Sequence, residues 1–182
     1  MTLHILVTND DGVSAPGLLV LAQAMRQFGE VSVVAPDHDW SGHGHTKHFK
    51  RPLRVQEVRL GDGTSALATD GSPADCVAMS VMGLLPQKID LVVAGINSAA
   101  NLGHDVSYSG TVAAIKEANI WGIAGAAVSL DIHAAANRSP TTVWRPALPA
   151  RFTNCYPKPV SKRCFLQCQC PTSRPSVFAA RA

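Results

Sequence analysis

Two adjacent carboxylates, Asp10 and Asp11, stand between an amide, Asn9, and a glycine, Gly12, directly after the apolar run that opens the chain. Adjacent carboxylates repel each other, so a site that keeps both ionised usually supplies a cation. Hard oxygen ligands favour Mg²⁺, Mn²⁺ or Ca²⁺. Asp and Asn are also good helix caps and Asp-Gly is an ordinary turn pair, so this stretch alone leaves both uses open. Two further oxygen donors recur at comparable points: Ser41 in a polar loop, and Asn97 after another apolar run. If a parallel sheet brings these loops to one edge, they offer two carboxylates, a hydroxyl and an amide oxygen. That set suits one divalent cation, Mg²⁺ or Mn²⁺, that keeps some of its water. Taken singly, Ser41 and Asn97 read more readily as loop caps than as ligands.

Ser109-Gly110-Thr111 precedes a helical pattern. Unpaired N–H groups and the helix dipole there favour phosphate, and a glycine permits close approach; the plain alternative is an N-cap. A cation beside a phosphate cradle is the arrangement that phosphate ester hydrolysis needs, because the metal polarises the phosphoryl oxygen and acidifies a bound water. On this reading a bulky residue at Gly110 removes phosphate binding and leaves the cation in place. The chain holds no Gly-x-x-x-x-Gly-Lys phosphate loop. The histidines around Ser41, namely His38, His43, His45 and His48, include only a His-x-His pair and read as a solvated polar loop rather than a zinc site. Cys164, Cys168 and Cys170 form no CxxC pair, and Cys76 reads as a small core residue.

The elements that must position these groups alternate. Leu3–Thr8 reads as a strand buried on both faces, which puts Asn9, Asp10 and Asp11 at its carboxyl end, where open α/β sheets bind ligands. Leu18, Leu21, Ala22 and Met25 recur at helical spacing behind Pro16. Residues 31–36 give a second strand, residues 37–50 the polar loop, and residues 52–69 a half-exposed hairpin. Ser72-Pro-Ala-Asp75 is a helix start with a capping box. Residues 89–94, 112–119 and 125–130 continue as strand, helix, strand. The pattern predicts a doubly wound, mostly parallel, Rossmann-like three-layer α/β fold.

Composition divides the chain. All 13 acidic residues lie at or before Asp131, whereas 8 of the 16 Lys and Arg lie after it, together with seven of the twelve prolines and four of the five cysteines. Residues 1–133 are therefore expected to form the α/β domain, and residues 134–182 an irregular, disordered tail without a regular packed layer. The chain shows neither a leader pattern nor an apolar run of membrane-spanning length, so it is expected to be cytoplasmic, with no membrane or nucleic-acid partner.

Several blocks together resemble the SurE survival proteins: Ile5-Leu-Val-Thr-Asn-Asp-Asp-Gly12 with Ala15-Pro-Gly17, Val34-Ala-Pro-Asp37 with Ser41-Gly42, Gly71-Ser-Pro-Ala-Asp-Cys-Val77, Gly95-Ile-Asn97, and Asn101-Leu-Gly103 running on to Tyr108-Ser-Gly-Thr-Val112. The resemblance covers about residues 3–131. It implies a metal-dependent 5′-nucleotidase that hydrolyses nucleoside 5′-monophosphates, and 3′-monophosphates as a further class. It further implies metal on Asp10, Asp11, Ser41 and Asn97, catalysis centred on Asp10 and Asp11, and substrate phosphate near Asn101, Ser109, Gly110 and Thr111. Three departures stand out. Ala99 and Ala118 replace glycines of the family, the first with an expected strain at positive φ, and residues 123–128 lack its usual proline and isoleucine. Nothing after Leu130 resembles the family's continuation, so its homo-oligomer is expected to be compromised and the edge strand near Val128 exposed. A response-regulator-like binding domain also pairs acids after its first strand. It needs a phosphoacceptor Asp ending a middle strand and a Lys ending the last, and neither Asp70 nor Ser129-Leu-Asp131 provides them. An inactive truncated product is the third alternative.

Overall fold

The computed structural model describes residues 2–130 in full and, beyond them, two strands. The opening apolar run is strand β1 (Leu3–Thr8), buried from His4 onward, and Ala15-Pro16 leads into helix α1 (Pro16–Met25). Strand β2 (Gly29–Pro36) follows, then the loop of residues 37–50 and an antiparallel hairpin, β3 (Val55–Arg59) and β4 (Ser65–Thr69). Helix α2 (Pro73–Met79) starts on the expected capping box: the Ser72 hydroxyl accepts from the Asp75 N–H, and the Asp75 carboxylate accepts from the Ser72 N–H. Strand β5 (Leu91–Asn97), helix α3 (Gly110–Ile120) and strand β6 (Ala124–Leu130) complete the alternation.

The sheet order is β3-β4-β2-β1-β5-β6-β7-β8. β1 pairs in parallel with β2 on one side and β5 on the other, so the chain reverses its direction of winding at β1. Open α/β sheets form their ligand crevice at this switch point, outside the carboxyl ends of the strands. One face of the sheet packs on α1 through Ile5, Val7, Leu18, Leu21 and Val93. The other packs on α2 and α3 through Leu6, Val34, Val77, Val92 and Ile115. Three layers and a mostly parallel sheet are thus as expected. The small residues of β6 have a packing role: a Cβ on Gly125 would lie 2.7 Å from Ile115 Cγ2, so α3 docks closely there. Among the described residues, no helix is long and apolar enough to cross a membrane.

Three expectations need correction. The tail was expected to hold no regular element, yet strands β7 (Phe165–Cys170) and β8 (Ser176–Ala180) extend the sheet, β7 parallel to β6 and β8 antiparallel to β7. The exposed edge expected at β6 is therefore paired. Its backbone donors and acceptors take β7 as partner, and a weak alternation, Leu166, Cys168 and Cys170 between Phe165, Gln167 and Gln169, was the missed signal. The remainder of the expected tail lies outside the described residues. The expected strain at Ala99 is absent too, because no described residue other than glycine has positive φ.

Candidate active site

Asp10 and Asp11 follow β1 at the switch point. The turn that carries them is closed from inside, where the buried Asn9 side chain donates to the Gly12 carbonyl at 2.9 Å. Asp10 is buried and points at the start of α3. The Thr111 N–H donates to its Oδ2 at 3.0 Å and the Thr111 hydroxyl to its Oδ1 at 2.5 Å. Gly110 makes this approach feasible, because a Cβ there would lie 2.7 Å from Asp10 Cβ and 3.0 Å from Oδ2. Asp11 faces the end of β5 instead, within reach of the Ser98 N–H at 3.3 Å and the Ser98 hydroxyl at 3.4 Å.

Asn97 ends β5 after an irregular stretch in which pairing with β6 shifts between Ala94 and Asn97. Gly95 makes that stretch, with φ of +133° and no room for a Cβ, which would lie 2.3 Å from the Val128 carbonyl oxygen. The Asn97 amide nitrogen is committed to the Ala99 carbonyl at 2.6 Å, which reserves its oxygen as the acceptor. Ser41 reaches the same edge from β2. Its neighbour Trp40 donates a main-chain N–H to the Asp10 carbonyl at 2.8 Å, and the Ser41 hydroxyl donates to Asp39 at 2.6 Å. The loops bearing Asp10, Asp11, Ser41 and Asn97 therefore meet at one edge.

The electrostatics of the carboxylates are unusual. Burial pushes the Asp10 pKa above its ordinary value, against the opposing bonds from Thr111. Burial first, and then the charge of Asp10, push Asp11 up to about 6. Asp39 also raises both, whereas its own carboxyl is held low by the Ser41 hydroxyl and N–H. Among the described residues neither Asp10 nor Asp11 has a Lys, Arg or His partner, although seven other such pairs exist. Uncompensated negative charge at a sheet edge rich in oxygen donors fits a hard divalent cation. Among the described residues no three His, Cys, Asp or Glu side chains gather as a metal cluster, so such a cation would draw on hydroxyl and amide oxygens as well.

The expected phosphate donors are placed less simply. Ser109 is the N-cap of α3, its hydroxyl accepting from the Val112 N–H at 3.2 Å. Thr111 spends both donors on Asp10, and the Asn101 side chain donates to Ser129 of β6 at 2.7 Å. Asn101, Ser109, Gly110 and Thr111 thus border the carboxylates, with Thr111 tied to them directly. Sequence reasoning overlooked Asp39, for which the Asp-x-Ser spacing of an Asx turn was the available signal. It also missed the partners of two histidines: exposed His45 bonds to Glu117 and half-buried His48 to Asp75, whereas His38 and His43 are exposed as a solvated loop predicts. Cys76 is a core residue as expected, its thiol pushed far up by burial.

Comparison with known proteins is consistent in direction. The family model of the survival protein SurE matches residues 5–180, reaching past the stretch of 3–131 that carries the resemblance. A 5′-nucleotidase SurE of Herpetosiphon aurantiacus is 56% identical over 128 residues, covering 70% of this chain and 50% of that protein. One from Chloroflexus aggregans is 55% identical over 127 residues, with the same coverage. The chain therefore spans about half the length of the curated relatives it matches. A crystal structure of the SurE protein from Aquifex aeolicus superposes with a TM-score of 0.78 at 33% identity, covering 94% of this chain and 67% of that one.

Proposed function

The chain belongs to the SurE family, and on that premise we propose that it is a metal-dependent phosphomonoesterase that releases phosphate from nucleoside 5′-monophosphates. The single observation that carries this reading is the pair Asp10–Asp11, two carboxylates raised in pKa and without a cationic partner among the described residues, beside the α3 N-terminus. The names of the relatives support the substrate class.

In this reading Asp10, Asp11, Ser41 and Asn97 hold one Mg²⁺ or Mn²⁺. When bound, the cation polarises the phosphoryl group and acidifies a coordinated water. The protein supplies the rest. Thr111 fixes the Asp10 carboxylate through two hydrogen bonds, so its orientation is set before substrate arrives. Ser98 does the same, more weakly, for Asp11. In the same reading the positive end of α3, with Asn101 and Ser109, receives the substrate phosphate, and Gly110 lets that helix end stand close to Asp10. The cytoplasmic setting, and action on 3′-monophosphates as a second class, belong to the same proposal. Phosphate release from a panel of nucleoside 5′- and 3′-monophosphates, with and without added Mn²⁺ or Mg²⁺, is the test. Release that needs the cation and favours 5′-monophosphates supports the reading; no release with any nucleotide at saturating cation overturns it.

A further inference from the structure

Residues 37–50 carry Asp39 and Ser41 to the sheet edge and form no helix or strand of their own. A segment of that length has many ways to lie unless something holds it. Its near end is held by the Trp40 N–H on Asp10, and its far end by two acidic side chains on the helices behind the site. His45 Nε2 lies 2.9 Å from Glu117 Oε2, and Lys47 Nζ lies 2.7 Å from Oε1, which the Trp121 indole N–H also approaches at 2.8 Å. Glu117 is only 2% exposed. One residue past Lys47, the His48 N–H and ring bond to Asp75 at 3.0 and 2.7 Å. Burial alone would raise the pKa of both carboxyls, yet these donors outweigh it and hold both low.

Glu117 lies less than two helical turns from Thr111, the residue that fixes Asp10. Helix α3 therefore holds a carboxylate of the site at one end and the loop that brings Ser41 at the other. A buried ion pair is a costly way to gain stability, since apolar packing of similar volume often does as well. Its distinctive effect is to fix geometry. We propose that Glu117 is a positioning residue: by gathering Lys47 and His45 it fixes where residues 37–50 present Ser41 and Asp39 to Asp10 and Asp11. The inference rests on the proposed role of Asp10, Asp11 and Ser41 as cation ligands.

The test is Mn²⁺ binding to the full chain, read from the electron paramagnetic resonance of free Mn²⁺ well below the melting temperature, with kcat and KM measured across Mn²⁺ concentrations. Groups that orient metal ligands typically change affinity by about 10- to 100-fold. Glu117→Gln and Lys47→Met should each weaken Mn²⁺ binding by about tenfold, with kcat recovering at saturating Mn²⁺, while Lys47→Arg stays within about twofold. Lys47 lies near the surface, so its variants carry the test if Glu117→Gln does not fold. Variants that melt earlier yet bind Mn²⁺ as the parent protein does would reduce the contact to plain stability and overturn the proposal. A parent protein that fails to bind Mn²⁺ overturns it as well. The expected Mn²⁺ pattern in a protein that hydrolyses no nucleotide would uphold the positioning role and reject the phosphatase reading alone.

Discussion

Carboxylates buried or half-buried on this sheet fall into two kinds. Glu117 and Asp75, on the helices, are surrounded by Lys47, His45 and His48, and their pKa values are held low. Asp10 and Asp11, at the edge of the same sheet, meet hydroxyls, amides and the negative charges of each other and Asp39, and their pKa values are raised. The first kind is satisfied within the chain and serves as an anchor. The second is left with charge that the chain does not neutralise, which is the condition for taking a cation from outside. Burial raises all four, so the contrast comes from the partners.

The sharpest way to break this comparison is to neutralise Asp11. Asp11→Asn keeps the volume and removes the charge, so Mn²⁺-dependent phosphate release should fall by roughly two to three orders of magnitude. Stability without metal should stay level or rise, because burial and the Asp10 charge already oppose ionisation at this position. Near-parental turnover at limiting Mn²⁺ would place the cation elsewhere. A substitution at Gly110 ranks next. Sequence alone suggests that a bulky residue there blocks phosphate and spares the metal, but the 2.7 Å approach to Asp10 Cβ ties the two together. Gly110→Val should weaken Mn²⁺ binding and inorganic phosphate inhibition together, each by roughly tenfold or more. Loss of phosphate inhibition with intact Mn²⁺ affinity would mean that α3 yields without moving Asp10.

How far the sequence anticipates this contrast depends on the range of the interactions. The strand ending in Asn9-Asp10-Asp11, the capping box at Ser72 and the helix start at Ser109 are local signals, and each stands where periodicity and cap chemistry put it. Convergence of Ser41, Asn97 and Asp10 follows from parallel topology, because every loop after a parallel strand opens on the same edge. The partners of Glu117 are different. His45 and Lys47 lie 72 and 70 residues away in sequence, and no spacing rule connects them. A buried glutamate at that point of α3 reads as an ordinary exposed helix residue until the loop is placed over it. For the same reason the partners of His45 and His48 are not legible in the sequence. Strands β7 and β8 were hidden by the surrounding prolines and arginines, which dilute a short alternation to the point where composition dominates.

The smallest expected effect lies in the pH dependence of stability, and it tests the comparison with both kinds of carboxylate at once. For Asp11 the folded value of about 6 exceeds the ordinary 3.8. The folded state then binds the proton more tightly than the unfolded chain, so without metal stability should decline as pH rises from about 4 to 6. Glu117 and Asp75 have the opposite sign. Their folded values are depressed, so their contribution is present above the ordinary values of 4.5 and 3.8 and is lost as pH falls through the folded ones. Urea midpoints measured in chelator from pH 3 to 8 should therefore give a maximum between the two windows. Asp11→Asn should shrink the alkaline limb to the part that Asp10, whose pKa is also raised, contributes. Glu117→Gln should shrink the acid limb, leaving the part due to Asp75, and cost about 1–3 kcal/mol at neutral pH, with Lys47 able to turn to solvent and limit the loss. Added Mn²⁺ should restore the alkaline limb of the parent protein alone, since only there does a cation answer the charge that the fold leaves open. An alkaline limb that is unchanged in Asp11→Asn, or one that Mn²⁺ leaves untouched, would show that Asp11 belongs with the anchors.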